Sequence, residues 1–191
     1  MQMSDQIEIA AAPERVFAAL NDPEILRACI PGCEALDKTS DDGFNATVMA
    51  KVGPVKARFN GAVTLSDLNP PHGYTISGEG KGGAAGFAKG GAKVRLEPHN
   101  GGTVLHYDVK ADVGGKLAQL GSRLIDGAAR SLAKEFFSKF KQEVEGQAPD
   151  AAAGGQAVEA APSPASASGL NWMLIAGAAV VGIVLLILLM R

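Results

Sequence analysis

The chain has 191 residues, 20 of them acidic and 18 basic, for a net charge of −2. That balance argues against a nucleic-acid binder, which carries a basic excess. Two cysteines are too few for a disulfide framework or a cysteine-rich metal site.

The opening MQMSDQIEIAAAPERVF carries Asp5, Glu8 and Glu14 and no apolar core, so it does not read as a secretory signal. Ile7 and Ile9 mark a first strand. Pro13 suits the first turn of a helix that carries Val16, Phe17 and Leu20 at helical spacing. Asn21-Asp22-Pro23 ends that helix and opens another, with Ile25, Leu26 and Ile30 apolar, which stops at Ile30-Pro31-Gly32-Cys33.

Alternating strands follow. Phe44, Ala46, Val48, Ala50 and Val52 share one face; after Gly53-Pro54 the pattern resumes with Val55, Ala57, Phe59, Gly61, Val63 and Leu65. Tyr74, Ile76 and Gly78, then Val94 and Leu96, then Leu105, Tyr107, Val109, Ala111 and Val113 continue it. Period two with one polar face predicts an antiparallel sheet covered on one side. The cover is a helix predicted over 115–145, with Leu117, Leu120, Leu124, Ala128, Leu132, Phe136, Phe140 and Val144 as its inward stripe over about eight turns. The fold class is therefore α+β: a curved antiparallel sheet wrapped on a long helix, within a domain of residues 1–145.

Residues 146–170 are rich in Ala, Gly, Pro and Ser and read as a disordered linker with a root-mean-square reach of roughly 25–30 Å. Residues 173–190, MLIAGAAVVGIVLLILLM, carry no charge, and Trp172 and Arg191 flank them. A span of ~18–20 such residues crosses a bilayer core, so 171–191 are expected to be a C-terminal transmembrane anchor. With no secretory signal ahead of it, the expectation is a tail-anchored, single-pass protein of the bacterial cytoplasmic membrane with its N-terminal domain in the cytoplasm. Charge is uneven along the domain: residues 1–50 hold nine acids and three bases, and 51–145 hold nine acids and fourteen bases. Such a domain can orient beside anionic lipid or an acidic partner face. A solvated surface of mixed charge is the plainer reading.

The first strand, the APxxVF helix, the NDPE turn, the antiparallel meander and the long last helix resemble the helix-grip (START-like, polyketide cyclase) superfamily. Within it, Ile30-Pro31-Gly32-Cys33, Val52-Gly53-Pro54-Val55, the glycine-rich stretch before Ala92-Lys93-Val94 and the helix bearing Phe136-Phe137 resemble the G subunit of carbon monoxide dehydrogenase over about 3–145. The resemblance implies an accessory protein that recruits a molybdenum-containing carbon monoxide dehydrogenase, or a related hydroxylase, to the membrane. Two alternatives are a polyketide-cyclase-like enzyme or lipid-binding protein acting on a hydrophobic ligand, and a maturation chaperone for a metalloenzyme.

No catalytic constellation and no metal site is expected. His72, His99 and His106 lie in turns or on the polar face of a strand, and Pro31-Gly32 separates Cys29 from Cys33. Gly78-x-Gly80-x-x-Gly83 matches a dinucleotide fingerprint in letters only, because it falls between two apparent strands instead of leading into a helix. The glycines of 78–91 read as a mobile hairpin or bulged rim, from which Lys81, Lys89 and Lys93 are candidate contacts to a membrane surface. Small inward residues either permit close packing or open a hydrophobic cleft. The cleft would be lined by Phe59, Phe87, Tyr107, Leu120, Leu124, Ala128 and Phe136, with a carried menaquinone, ubiquinone or lipid as its occupant and no covalently bound cofactor.

Overall fold

The computed structural model describes residues 1–146. The expected linker beyond Gly146 and the expected anchor at 171–191 lie outside the described residues. Among the described residues, no helix is long and apolar enough to cross a membrane.

Seven strands form one antiparallel sheet in the order β1-β7-β6-β5-β4-β3-β2. They are β1 Gln2–Ile9, β2 Cys33–Lys38, β3 Gly43–Val52, β4 Val55–Asn69, β5 Gly73–Lys81, β6 Phe87–His99 and β7 Gly102–Gly114. From β2 to β7 each strand pairs with its successor, and β1 closes onto β7, so the chain meanders through simple hairpins. Alternation sets which face is wet. Phe44, Val48, Phe59, Val63, Ile76, Val94, Leu105 and Val109 are buried on the inner face, while the residues that alternate with them mostly face solvent.

Two short helices and one long one fill the inner face: α1 Pro13–Ala19, α2 Pro23–Cys29 and α3 Ser122–Gly146. Both short helices start with proline in the first turn, where its missing N–H costs nothing. At α2 the Asp22 carboxylate also accepts from Glu24 N at 2.8 Å and Ile25 N at 3.3 Å, a cap worth about 1 kcal/mol. Gly32 then turns the chain at φ +73°, and its carbonyl accepts the Met49 N–H at 2.8 Å. A Cβ at Gly32 would collide with the Met49 carbonyl oxygen, which is why this tight approach to β3 uses glycine.

Helix α3 packs against α2 and crosses the inner face from one end of the sheet to the other. Its 25 residues span about 37 Å. Its far end is fastened to the residue that follows β1: Glu145 Oε1 accepts the Ala10 N–H at 2.8 Å and lies 3.8 Å from Lys141 Nζ. The chain therefore leaves the domain at the end opposite to where α3 begins.

Three expectations need correction. A seventh strand, β2, stands where none was expected. The glycines of 78–91 lie in a hairpin, one of the two expected forms, and not on a bulged rim: β5 and β6 stay paired from Gly73↔Arg95 through Lys81↔Phe87, and the turn, with Gly82, Gly83 and Gly86, is confined to 82–86. Finally, the last helix begins at Ser122 and not at 115. A 3-10 turn at Ala118–Leu120 and Gly121 at φ +84° break the helical path before it.

Candidate functional site: an uncovered apolar groove on the long helix

The expected inward stripe of α3 is only half correct. Phe136, Phe140 and Val144 are buried as expected, but upstream the buried residues are Ile125, Ala129 and Ala133. Helical geometry gives the reason. Each residue turns the helix by about 100°, so a ladder stepped strictly by four drifts about 40° per step. From Leu124 to Phe136 the drift reaches about 120°, which carries Leu124 out of the core; it is 47% exposed. Ala128 and Leu132 fall between, half-buried.

The residues displaced from the core gather in one place. Leu120, Gly121, Leu124, Gly127 and Ala128 line an open groove of about 680 Å³, with Ser122 and Arg123 as its polar members. The turn between β3 and β4 stands beside it, since a Cβ on Gly53 would lie 3.4 Å from Leu124 Cδ2. Two glycines widen the groove: added Cβ atoms at Gly121 and Gly127 would meet nothing within 4 Å. Its lining holds no histidine, cysteine or carboxylate, so its chemistry is that of a binding surface for apolar material.

Three of the seven expected cleft residues (Leu120, Leu124 and Ala128) thus meet here, at the start of α3 beside the β3–β4 turn. The other four do not. Phe59, Tyr107 and Phe136 are buried, each at most 3% exposed. Phe136 stacks on Phe140 at 5.8 Å and meets Phe137 edge-on; Tyr107 stacks on Phe137 at 5.3 Å. Close packing, and not an inner cleft, is what those positions achieve. Phe87 has the wrong parity: Ala88, Ala92 and Val94 face inward on β6, so Phe87 faces outward, 51% exposed, with its ring laid over Gly114.

Lys81, Lys89 and Lys93 also stand on the outer face, exposed, but as members of strands and not of a rim. Lys81 Nζ pairs with Glu79 Oε1 at 2.9 Å. Lys89 sits across from Glu79 and Asp112, and Lys93 across from Thr75 and Asp108. Each lysine is thereby set among carboxylates, which weakens the expected attraction to anionic lipid.

The titratable groups do not converge. His72 lies in the β4–β5 turn, His99 contacts Asn100, and His106 Nε2 is 3.5 Å from Glu97 Oε2 on the outer face. Among the described residues no group of three or more His, Cys, Asp or Glu side chains is placed to hold a metal. Burial pushes the Cys29 thiol up to about 12, with Glu143 adding and Lys139 opposing. Burial likewise pushes the Tyr107 phenol up to about 12, with Asp5 adding and Arg130 opposing. Both groups are therefore protonated and unreactive near neutrality.

The family model for the G subunit of carbon monoxide dehydrogenase (CoxG) matches residues 6–145. No curated protein matches the chain. A conserved protein of Geobacillus kaustophilus is similar in sequence and structure, with 32% identity, a TM-score of 0.72, and coverage of 76% of this chain and 96% of that one. A Rhizobium leguminosarum protein (17% identity, TM-score 0.61, 77% of this chain and 95% of that one) shares the fold. So does a protein of Thermus thermophilus (16% identity, TM-score 0.60, 78% and 100%). With the matched segment spanning almost the whole described domain, the chain belongs to the CoxG family, that of the G subunit of carbon monoxide dehydrogenase.

Proposed function

We propose that the chain is a non-enzymatic accessory protein that brings a molybdenum-containing carbon monoxide dehydrogenase, or a related hydroxylase, to the cytoplasmic membrane. In this reading its groove takes up the apolar part of a quinone or lipid. The partner follows from the family, and the membrane from the uncharged run at 173–190. The observation that carries the reading is the groove itself: about 680 Å³ of apolar space beside the first half of α3, with two glycines where side chains would close it.

The physical logic is one of effective concentration. A soluble oxidoreductase must pass electrons to an acceptor dissolved in lipid. A domain leashed to the bilayer by some 25 residues keeps both within roughly 25–30 Å of each other. The groove adds a place where an isoprenoid tail escapes water, at about 25 cal/mol for each Å² of apolar surface covered. Arg123 and Ser122 at its mouth supply donors for a carbonyl or headgroup oxygen.

The test is to purify the full-length protein from membranes in mild detergent and analyse its organic extract by mass spectrometry. A bound quinone or lipid is expected, displaced by Leu124→Arg. In parallel, membranes containing the protein should retain more dehydrogenase activity than membranes without it. An extract empty of apolar ligand removes the carrier role. Equal membrane association of the enzyme with and without the protein removes recruitment.

A further inference from the structure

Helix α3 carries a second feature, which shares only Arg123 with the groove. Arg123, Arg130, Lys134 and Lys141 are spaced seven, four and seven residues apart. At about 100° per residue these steps cancel, and after eighteen residues, or about five turns, the helix returns to its starting angle. The four cations therefore form a straight row about 27 Å long on the flank of α3 that faces β1. Arg123, Arg130 and Lys134 are exposed.

The row borders a trench of about 400 Å³ between α3 and β1. Arg130, Lys134 and Lys141 form one wall, Asp5 and Ile7 of β1 the other, and the stacked Tyr107 and Phe137 rings the floor. The carboxylates beside the row are Asp5, Asp126 and Glu145. Asp5 is engaged by the Gln6 N–H at 2.8 Å, and Glu145 by Ala10 and Lys141. The far wall is the edge of the sheet, since β1 has a neighbour on one side only.

We infer that this trench is a docking surface for an acidic segment of a protein partner, one that carries an apolar or aromatic residue among its carboxylates. Charge complementarity sets the sign, and the shape sets the class of partner. A row of guanidinium and ammonium groups along a helix matches carboxylates at the same helical spacing, and arginine offers them two parallel donors. A bilayer is flat and cannot follow a trench down to an aromatic floor, whereas a protruding peptide segment can. Past Leu124, α3 exposes no large apolar side chain along the row, which a helix lying on a membrane requires. The inference deepens the proposed accessory role by giving the partner-binding face, and it rests on that reading only for which partner is bound.

The full-length protein in phosphatidylcholine nanodiscs is titrated against a labelled helical peptide whose glutamates match the spacing of the row, with leucines between them. The expected result is saturable binding that a glutamine version of the peptide lacks. Arg130→Glu with Lys134→Glu should weaken it by about tenfold or more while the melting curve stays unchanged. Should that double variant fold poorly, Arg130→Gln with Lys134→Gln gives the same reading with less perturbation. Unaltered peptide affinity in a folded variant overturns the inference. So does a variant that loses phosphatidylglycerol vesicle binding but keeps the peptide, which assigns the row to anionic lipid. If the peptide binds as expected while carbon monoxide dehydrogenase itself does not, the recruitment reading fails and the docking surface stands.

Discussion

Gly127 gives the sharpest test of whether the groove is an open site. It lies inside α3, where glycine costs about 0.5–1 kcal/mol relative to alanine because it gives up the most backbone freedom. An ideal Cβ there would meet nothing within 4 Å, so Gly127→Ala introduces no collision to offset that gain. The expected outcome is stabilisation by about 0.5–1 kcal/mol, seen as a rise of about 3 °C in the melting midpoint of the full-length protein. Gly127→Phe is the companion. Phenylalanine still outranks glycine in helix propensity by a few tenths of a kcal/mol, so the fold should persist, but the ring would fill the groove between Leu120 and Leu124. Circular dichroism melts and mass spectrometry of extracted ligand, run on both variants, separate the two effects. Alanine should raise the midpoint and leave the ligand; phenylalanine should hold the midpoint and remove it. A destabilised alanine variant would show that the groove is closed in solution. A phenylalanine variant that keeps its ligand would place the binding site elsewhere.

Phe136→Ala, which removes a fully buried ring from a stack with Phe140, should cost about 3–5 kcal/mol in urea unfolding. Stability should also fall above pH 9. Cys29 and Tyr107 are held protonated in the fold, at about 12 against ordinary values of 9.0 and 10.0. Their contribution is complete below pH 9 and is lost as the pH rises toward 12, because the unfolded chain gives up those protons first. Urea midpoints between pH 8 and 11 should show that decline, and Cys29→Ala with Tyr107→Phe should flatten it. Deleting 171–191 should release the protein to the soluble fraction with an unchanged melt. Aggregation or unfolding of the truncated chain would make that segment part of a core.

Most of the architecture is legible in the sequence because the sheet is wet on one side. Phe44 to Val52 and Leu105 to Ala111 alternate without interruption, and each inward member is buried. β2 is illegible for the opposite reason. It is a six-residue edge strand in which Leu36 alone is buried, and its register slips between Cys33 and Ala35. The glycines of β5 and β6 mislead through a different mechanism. Glycine reads as a breaker, yet a Cβ on Gly91 would strike the Ile76 carbonyl and one on Gly90 the Lys110 carbonyl. They are present because neighbouring strands approach too closely for side chains.

The site is harder to read than the fold because its position depends on small angles that accumulate. A stripe stepped by four looks continuous in sequence but winds around the helix, so Phe136 and Leu124 belong to different environments although three equal steps separate them. The row of Arg123, Arg130, Lys134 and Lys141 stays straight because its steps of seven and four turn in opposite senses. The same arithmetic thus opens an apolar groove at the start of α3 and aligns a cationic row along its flank. The buried face set by Ile125, Ala129, Ala133 and Phe140 fixes both relative to the sheet. A one-residue insertion near Ser131 would rotate the first half of α3 by about 100° against the second. It would bring Asp126 and Arg130 to the buried positions now held by Ile125 and Ala129 and break the cationic row in the middle, so packing on the sheet and both surface features depend on one helical register.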